Sequence, residues 1–492
     1  MPEKRKKFYI TTSIPYTNAA PHIGFAFEII QADVLARYYR NLGKDVFFLT
    51  GTDEHGQKTL RAAEVAGKDP LDFADEISVR FKELAKTLNI SNDDFIRTTD
   101  KKRHLPAVYK LWAEYEKQGD IYKKKYRGYY CVGCEAFKTQ KEITGGRCII
   151  HQKEVEVVEE ENYFFKLSKY LPAIKKLIKK DKIKIIPESR KNEVLGMIEQ
   201  GLEDVSFSRA KEKYWGWSVP GDDSQNIYVW SDALPNYISA IGYVGNSKEF
   251  KKYWPADVHC IGKDIIKFHA VYWPAMLLSA GLELPKTIFV HGFITANGQK
   301  MSKSLGNVID PIKLAEKYLP AGRQAAQDAV RYYLLREIPP IEDGDFTYEK
   351  FEQRYNSDLA DGIGNLVSRV VALAAKSNPK FQITKPKKIL NPKLKKEIKS
   401  THAAVDKLLG GFRFNEALKA IWDLISWCDK CINEEKPWEG KKNAKVVISD
   451  LICAINEIAE LIDPFLPETS EKIKNIIKTK KSAVLFPRLN AH

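Results

Sequence analysis

The sequence predicts an α/β protein that continues into an all-α domain, and three observations carry this prediction. Apolar strands alternate with amphipathic helices before residue 119 and again after residue 215. Between them lies a cysteine-containing stretch of different texture, and from Tyr348 onward the apolar residues recur almost wholly at helical spacing. We therefore expect a parallel-sheet domain with a small insertion, followed by a helical bundle.

Size and charge restrict the class of protein further. The chain has 492 residues, of which 44% are hydrophobic, so it can bury large cores in three or four structural units. Its net charge of +15 favours an extended polyanion as partner. No run of 18 apolar residues occurs, and the basic N-terminus leads directly into a strand, which predicts a cytoplasmic protein with no membrane contact.

The first half of the sheet domain is predicted to place a ligand site at one edge. Parallel sheets bind ligands beyond the carboxyl ends of their strands, and both Pro21-His22-Ile23-Gly24 and Asp53 fall there. The predicted elements are strands at 8–13 and 45–51 and helices at 29–39, 71–88 and 105–118.

The sheet is interrupted after Gly119, where Tyr- and Lys-rich segments, cysteines and an acidic run indicate an insertion that ends near Trp215. Later strands are predicted to complete the same sheet, and Asp310-Pro311 should start a helix through Leu319. These later elements are strands at 227–230, 258–262 and 287–291 and helices at 351–376, 392–409, 414–433 and 444–462.

The segment Pro21-His22-Ile23-Gly24 is typical of a phosphate site. Pro21 pre-sets the backbone at a helix start, and Gly24 lets a ligand approach closely. The free amides of the first helical turn favour an anion, and His22 can donate to a phosphoryl oxygen.

A second cationic element lies far along the chain. Lys300-Met301-Ser302-Lys303-Ser304, held between Gly298 and Gly306, is predicted to be a mobile loop that suits a polyphosphate. Charge from Lys300 and Lys303 should act most strongly on a pentavalent phosphate, which is how such a contact accelerates a reaction.

Four metal ligands occur in the insertion. Cys131-Val-Gly-Cys134 and Cys148-Ile-Ile-His151 supply three thiolates and one imidazole at two-residue spacing, which predicts one closed, structural Zn²⁺ site. Cys428 and Cys431 repeat the spacing within a helical pattern, without a second ligand pair, and are interpreted as core residues.

An amino-acid pocket is predicted at the same edge of the sheet. The Asp53 carboxylate can pair with a substrate ammonium there. An apolar, aromatic pocket suits an unbranched thioether, because sulfur contacts aromatic rings favourably. Its candidate residues are Tyr16, Trp230, Ala233, Tyr237, Ile265 and His269.

The His-x-Gly element and the Lys-Met-Ser-Lys-Ser loop together resemble the class I aminoacyl-tRNA synthetases. Over essentially the whole chain, segments 13–16, 51–56, 228–233 and 262–269 are similar to those of the methionyl-tRNA synthetase family. Two positions depart from that family: Phe25 stands where a second histidine is usual, and Leu234 where some members have proline.

This resemblance implies ATP-dependent activation of methionine, with Mg²⁺ accompanying ATP, and transfer to a tRNA. It assigns the substrate amine to Asp53, the side-chain pocket to Trp230, Ile265 and His269, and the adenosine contacts to Gly262 and Asp264. Together with the residues named above, the expected methionine-binding set is Tyr16, Asp53, Trp230, Ala233, Tyr237, Ile265 and His269, and the expected ATP-binding set is His22, Gly24, Gly262, Asp264, Lys300 and Lys303. His22, Lys300 and Lys303 are the expected catalytic residues. Asn365, Arg369 and Trp438 match the anticodon-reading positions.

The expected domains follow from the pattern and the resemblance together. They are a Rossmann-type catalytic domain in two halves at 1–118 and 216–320, a zinc-knuckle insertion at 119–215, a stem-contact linker at 321–350 and an α-helical anticodon-binding domain at 351–492. Members of the family that dimerise often add a C-terminal RNA-binding barrel, and this sequence stops shortly after its last helix, so the resemblance implies a monomer. A nucleotidyltransferase and a catalytically silent RNA-binding relative remain alternatives at this point.

Overall fold

The computed structural model describes residues 6–138, 140–150, 152–301, 306–318, 326–377, 389–479 and 483–489. Its contacts divide the chain into two compact units. The first comprises Met1–Pro21, Gly43–Glu83 and Ser91–His291, and the second comprises His22–Leu42, Leu84–Ile90 and Gly292–His492. No helix in these described stretches is both long and apolar enough to cross a membrane. The expected domain boundaries stay predictions.

Strands occur mainly in the first unit. They are β1 (Lys7–Thr12), β2 (Asp45–Thr52), β3 (Asp94–Arg97), β4 (Ile121–Cys131), β5 (Ala136–Lys138), β6 (Ile143–Thr144), β7 (Arg147–Cys148), β8 (Glu156–Phe165), β9 (Lys184–Ile186), β10 (Val205–Ser206), β11 (Ser208–Ala210), β12 (Ser218–Val219), β13 (Asp222–Ile227), β14 (Val258–Gly262) and β15 (Thr287–His291). The second unit contains β16 (Ile294–Ala296), β17 (Gln299–Lys300) and β18 (Gly344–Phe346).

Helices occur along the whole chain. They are α1 (Ile23–Asn41), α2 (Gln57–Ala66), α3 (Pro70–Thr87), α4 (Leu105–Lys117), α5 (Leu171–Lys179), α6 (Glu188–Glu199), α7 (Val229–Ala233), α8 (Asn236–Ser239), α9 (Lys248–Tyr253), α10 (Trp273–Ser279), α11 (Pro311–Tyr318), α12 (Ala326–Arg336), α13 (Tyr348–Arg354), α14 (Asn365–Ser377), α15 (Pro392–Gly410), α16 (Phe414–Glu435), α17 (Ala444–Ile462) and α18 (Pro467–Thr479). Two π-helical segments, Phe268–Tyr272 and Tyr355–Gly364, interrupt this pattern.

The main sheet of the first unit is six-stranded and parallel, in the order β3-β2-β1-β14-β15-β9. Its central register places Ile10 between Phe48 and Val258. All three side chains are buried, which is expected for a parallel sheet that helices cover on both faces. The predicted α/β class is confirmed, and β1, β2, β14 and β15 lie where the sequence predicted them.

One prediction about this sheet is wrong. Residues 227–230 were expected to form one of its strands, but β13 ends at Ile227 within a separate antiparallel sheet, and residues 229–233 form the short helix α7. Every residue of α7 is buried, and a short all-apolar run cannot distinguish a helix from a strand. In addition, β9 lies within the predicted insertion and yet forms the edge strand beside β15.

The cysteine-containing stretch forms a sheet of its own in the order β10-β8-β4-β5. Its long β4–β8 ribbon pairs Lys125 with Glu161 and Arg127 with Glu159, so opposite charges face each other across the strands. The small ribbon β6–β7 and β5 flank the cysteines.

The second unit is mainly helical, which confirms the predicted C-terminal bundle. Helix α15 illustrates why these helices form: Leu394, Ile398, Val405 and Leu409 are buried at helical spacing, and Asn391 caps the first turn. Helix α11 begins as predicted, because the Asp310 carboxylate accepts hydrogen bonds from the amides of Ile312 and Lys313. Helix α18 was not predicted.

A buried ion pair joins α1 to the C-terminal helices within this unit. Arg331 Nη2 lies 2.7 Å from Asp33 Oδ2, and both side chains are fully buried. The other guanidinium hydrogen bonds go to the carbonyl oxygens of Phe465, Pro464 and Leu88, at 2.7, 3.0 and 3.1 Å. Hydrogen bonds at all three guanidinium nitrogens offset the cost of burying this ion pair.

Candidate active site

The first site residues are held together by backbone pairing beyond the ends of β1 and β2. The Asp53 amide donates to the Pro15 carbonyl at 2.8 Å, and the Thr17 amide donates to the Asp53 carbonyl at 3.0 Å. Tyr16 therefore lies opposite Asp53. This pairing, at the carboxyl edge of the sheet, brings together two residues that the sequence placed in one pocket.

Asp53 is a buried acid with an unsatisfied oxygen. Its side chain is almost fully buried, and Oδ1 has no hydrogen-bond partner among the described residues. Burial raises the pKa of Asp53 well above its ordinary value, and the nearby carboxylates Asp232 and Glu135 raise it further, against an opposing effect of Lys58. An arriving cation would satisfy Oδ1 and offset this electrostatic cost.

Aromatic rings form the wall of the pocket. The Trp230 indole stacks on the Phe268 ring, with ring centroids 3.7 Å apart and planes 6° from parallel. Tyr16 and His269 present their rings edge-on to Trp230, at centroid distances of 6.4 and 6.1 Å. Ala233 lies on the same short helix as Trp230 and is buried. Phe268 was not among the predicted residues, although it precedes His269 directly.

Hydrogen bonds fix the orientation of His269. Its Nδ1 lies 3.0 Å from the Ile265 carbonyl oxygen, which can only accept, so Nδ1 carries the proton. Nε2 then accepts from the Tyr237 hydroxyl at 2.7 Å. Residues Phe268–Tyr272 form a π-helical turn, in which the backbone hydrogen bonds differ from those of an α-helix. The His269 imidazole donates there to the Ile265 carbonyl, four residues earlier. Thus Tyr237, Ile265 and His269 come together as predicted.

A buried network behind the pocket was missed by the sequence interpretation. Asp232 Oδ2 lies 2.7 Å from His55 Nδ1, and Oδ1 lies 3.2 Å from His104 Nε2. Although burial opposes ionisation of Asp232, the two imidazoles hold its pKa below the ordinary value. His55 also lies edge-on between Trp215 and Trp217. The network connects the loop of Asp53 to the helix of Trp230.

Lys58 and Glu135 were also missed. Lys58 Nζ lies 4.1 Å from the centre of the Tyr16 ring, and the Lys58 amide donates to Glu135 Oε1 at 2.7 Å. Burial lowers the pKa of Lys58 and raises that of Glu135. Gly56 is required beside them, because a Cβ atom there would lie 2.9 Å from the Glu135 carboxylate and its φ is +104°. Glu135 could have been found from the sequence, because it directly follows Cys134, a predicted metal ligand.

The predicted adenosine-contacting residues follow β14. Gly262 is buried at the strand end, and a Cβ atom there would lie 2.9 Å from Asp264 Oδ1. Asp264 is exposed, and its carboxylate lies close to the Gly262 backbone. This close approach is possible because glycine has no side chain.

In the second unit, His22 caps helix α1. Its Nδ1 accepts from the Gly24 amide at 3.0 Å, so the neutral ring carries its proton on Nε2, and His22 is exposed. Nε2 is therefore the hydrogen-bond donor of the ring, and its contact with a phosphoryl oxygen stays a prediction. Gly24 makes room for the ring, since a Cβ atom there would lie 2.8 Å from His22 Cε1.

The expected free amides in the first turn of α1 are not found. The Ile23 amide donates to the Ile309 carbonyl, and the Phe25 amide donates to the His22 carbonyl, both at 3.0 Å. With Gly24 bonded to the His22 ring, each of the first three amides has a protein acceptor. The prediction of an amide-built anion site is thus wrong for this structure, because local capping satisfies these donors.

Lys300 lies at the end of a tight hairpin. Strands β16 and β17 pair antiparallel across Asn297 and Gly298, whose φ values of +52° and +72° fit a two-residue turn. Lys300 is exposed, so its ammonium is available to an anion. Lys303, the other predicted lysine of this loop, lies outside the described residues, as do Ser302 and Ser304.

Three of the four predicted zinc ligands come together. The sulfur atoms of Cys131, Cys134 and Cys148 lie within 4.8 Å of one another, and those of Cys134 and Cys148 are 3.7 Å apart. A tetrahedral zinc with Zn–S bonds of about 2.3 Å places its sulfurs about 3.8 Å apart, so the group fits that ion. His151 lies outside the described residues.

The predicted RNA-contacting residues lie in the second unit. Arg369 Nη1 lies 3.0 Å from Asp429, and Nη2 donates to Asn433 Oδ1 at 2.7 Å. Asn365 is exposed one turn earlier on α14, and Trp438 is 54% exposed in the loop after α16. By contrast, Cys428 is fully buried, as predicted for a core residue, whereas Cys431 is only half-buried.

Comparison with known proteins gives consistent matches. A family model for tRNA synthetases class I (M) matches residues 8–146 and 139–371, and one for the anticodon-binding domain of tRNA ligase matches 392–491. The methionine--tRNA ligase of Thermotoga maritima is 46% identical over 477 residues, which cover 95% of this chain and 74% of that protein. The methionine--tRNA ligase of Rhizobium meliloti is 42% identical over 486 residues, which cover 96% of this chain and 91% of that protein.

Solved structures agree with these relatives. The structure of Mycobacterium tuberculosis methionyl-tRNA synthetase in complex with methionyl-adenylate superposes with a TM-score of 0.90 at 37% identity. The match covers 98% of this chain and 100% of that one.

Proposed function

The chain belongs to the methionyl-tRNA synthetases of class I, and from this membership we propose which of its residues carry the ligation of methionine to tRNA. The reaction consumes ATP, proceeds through methionyl-adenylate and releases pyrophosphate and then AMP. The observation that best supports the assignment is the buried Asp53 carboxylate, whose unsatisfied oxygen lies beside an aromatic pocket.

In the first step methionine binds through its two ends. Its ammonium pairs with Asp53, and its thioether lies against Trp230 and the Tyr237–His269 pair, where sulfur contacts aromatic rings at about 0.3–1.5 kcal/mol each. A β-branched side chain does not fit a slot of this kind. Lys58, over the Tyr16 ring, adds positive charge close to Asp53.

The methionine carboxylate then attacks the α-phosphate of ATP, and pyrophosphate leaves. His22 donates through Nε2 to a phosphoryl oxygen, and Lys300 and Lys303 stabilise negative charge on the pentavalent phosphate and on the leaving group, with Mg²⁺ bound to ATP. Gly262 and Asp264 contact the adenosine. Only contacts that strengthen in this transition state accelerate the step.

In the second step the terminal ribose of tRNA attacks the adenylate carbonyl. Asn365, Arg369 and Trp438 read the anticodon, since unstacked bases are recognised by stacking and edge hydrogen bonds. The Arg369 guanidinium is already oriented by Asp429 and Asn433. We place the protein in the cytoplasm, where tRNA is charged.

The Zn²⁺ of this proposal is structural. Cys131, Cys134, Cys148 and His151 would hold it with no open coordination position, so it stabilises the ribbon structure of the cysteine-containing stretch. Glu135, next to Cys134, then reaches Lys58, so the metal also fixes one wall of the amino-acid site.

The activity is tested by exchange of labelled pyrophosphate into ATP. Methionine should support exchange and isoleucine should not, because the slot excludes β-branched side chains. Lys300→Ala should lower the exchange rate far more than it weakens methionine binding. An exchange driven equally well by isoleucine, or equal losses of rate and binding in Lys300→Ala, would contradict the assignment.

A further inference from the structure

Four exposed lysines occupy the first two turns of α15. Lys393, Lys395, Lys396 and Lys399 all face solvent. Within the portion of the chain that the structure describes, no carboxylate lies within 4.0 Å of any of their ammonium groups. Glu397 is the one carboxylate among them in the sequence, so these two turns carry a net charge of +3, four lysines less one glutamate.

Several other surface lysines of the same bundle are paired with a carboxylate. On α16, Lys419 lies 3.5 Å from Asp423 and Lys430 lies 3.7 Å from Glu434. Lys474 on α18 lies 3.7 Å from Asp463. On α15 four unpaired lysines lie within seven residues, whereas the described parts of α17 and α18 carry one exposed, unpaired lysine each, Lys445 and Lys478.

The charge of α15 is also placed against the helix dipole. Cations near a helix N-terminus are unfavourable by about 0.3–1 kcal/mol each, and the first turn of α15 contains no acidic residue. The Asn391 side chain already accepts from the amides of Lys393 and Leu394. Because Asn391 already occupies these amides, an anion at this place would be held by the lysine side chains. The lysines lower the stability of the helix and make no ion pair in return, which indicates a functional role.

The start of α15 lies at the end of the bundle that carries the proposed anticodon residues. Asp450, early in α17, accepts from the backbone amides of Leu390 and Asn391 at 2.9 and 2.8 Å. Helices α15 and α16 are joined by only residues 411–413 and pack antiparallel, so the beginning of α15 lies near the end of α16. That end carries Asn433, the partner of Arg369, and leads into Trp438.

We propose that the lysines of α15 bind the ribose-phosphate backbone of the tRNA beside its anticodon. This inference rests on the proposed function and deepens it: Asn365, Arg369 and Trp438 contact bases, whereas the α15 lysines supply attraction that does not depend on sequence. Lysine ammonium groups suit this role because they bind phosphates as mobile point charges. RNA binding should then release counterions in proportion to the number of these contacts.

The test compares two charge-matched double variants. Lys395→Gln with Lys399→Gln removes two charges from α15, and Lys419→Gln with Lys474→Gln removes two paired charges elsewhere in the unit. Glutamine keeps the helix propensity. The dissociation constant for tRNA is measured across salt concentrations by filter binding, with methionine-dependent exchange measured in parallel.

We expect the α15 variant to bind tRNA about 10-fold more weakly at low salt and to reduce the slope of log Kd against log salt by about 2, one for each phosphate contact. The control variant should change the slope by much less. A tRNA with an altered anticodon should show the same change in slope between wild type and variant, because backbone contacts do not read bases. Exchange should be unchanged in both variants.

Lys395→Arg with Lys399→Arg should retain the wild-type slope, since only charge is required. Equal slopes in the α15 and control variants, or loss of the slope in the arginine variant, would overturn the proposal. If the wild-type protein exchanges pyrophosphate and charges tRNA while these outcomes occur, only this inference fails. If the wild type does neither, the proposed function itself fails.

Discussion

Asp53 is a residue whose function opposes its contribution to folding. Because burial raises its pKa in the folded protein, the native state binds this proton more tightly than the unfolded chain does. Its contribution to stability is therefore fully present at low pH and is lost as the pH rises from the ordinary value of an unfolded aspartate through the raised native value. In the absence of methionine, the buried Asp53 therefore makes the fold less stable at neutral pH than at low pH.

Asp53→Asn should therefore separate stability from binding. We expect the melting temperature of the ligand-free protein to rise at neutral pH, by about 2–4 °C for each kcal/mol regained. Methionine binding should weaken by roughly 150- to 5000-fold, because an unpaired buried ammonium costs about 3–5 kcal/mol. Differential scanning calorimetry of both proteins measures the melting temperature, and isothermal titration calorimetry measures methionine binding. Asp223→Asn, an exposed acid of the same unit, is the matched control and should change neither. A destabilised Asp53→Asn protein would contradict the electrostatic account.

Methionine binding should also depend on pH in a way set by Asp53. The ammonium requires the ionised carboxylate, so affinity should fall about tenfold per pH unit once the pH drops below the pKa of Asp53 in the free protein. Because that pKa is raised, the loss should begin well above the pH at which an ordinary aspartate titrates. Titration of methionine by calorimetry at several pH values measures it. The same series with Asp53→Asn should be flat, and a wild-type profile equally flat would exclude Asp53 as the partner.

At the scale of the element, the sequence predicts regular amphipathic helices well and buried or capped segments poorly. Helix α15 was predicted at 392–409 and found at 392–410, because its apolar residues follow a clear 3.6-residue period. The run 227–230 is buried on all sides, so it has no period from which to choose between strand and helix. The pairing of β9 with β15 depends on a contact between residues about a hundred positions apart, which no local pattern encodes.

The same limit applies to the site. Cys131, Cys134 and Cys148 were predictable because zinc imposes a fixed spacing. Asp53 and the aromatic residues were predictable from their place at strand ends and from the family resemblance. Lys58, Glu135 and the His55–Asp232–His104 network were not, because they act through contacts that form only when separate loops fold together. The occupied amides of α1 were missed because the acceptor of the Ile23 amide is the distant Ile309 carbonyl and that of the Gly24 amide depends on the rotamer of the His22 ring.

We expect the proposed zinc site to influence methionine binding through a single residue, Glu135. Glu135 follows Cys134 directly and holds the Lys58 amide, so loss of the metal should loosen Lys58 and Tyr16. We expect Cys148→Ser to weaken zinc binding by at least about 100-fold and to raise the KM for methionine, with a smaller effect on the KM for ATP. Metal analysis and exchange kinetics measure this. Cys428→Ser, outside the cluster, should retain zinc, and an unchanged methionine KM in zinc-free Cys148→Ser would disprove the connection.

At the scale of the molecule, residues distant in sequence belong to one compact unit. Helix α1, which carries His22, is held to the C-terminal helices by the Arg331–Asp33 ion pair and by a hydrogen bond from Tyr38 to Asp406 at 2.9 Å. Asn41 adds a further bond to Asp463 at 2.8 Å. The phosphate-site helix and the proposed anticodon residues are thus parts of the same structural unit, although about 340 residues separate them in the chain.

Trp438 should nevertheless be separable from activation. Its ring is 54% exposed, so its removal leaves no cavity in the core, whereas loss of base stacking costs about 1–3 kcal/mol per base. We expect Trp438→Ala to leave methionine-dependent pyrophosphate exchange unchanged and to lower kcat/KM for tRNA charging by roughly 5- to 150-fold. Trp438→Phe, which retains an aromatic face, should recover much of the charging rate. Exchange and charging are measured in parallel for both variants. Loss of both activities in Trp438→Ala would mean that this tryptophan supports the fold of the bundle. Equal charging by the alanine and phenylalanine variants would mean that no base stacks on it.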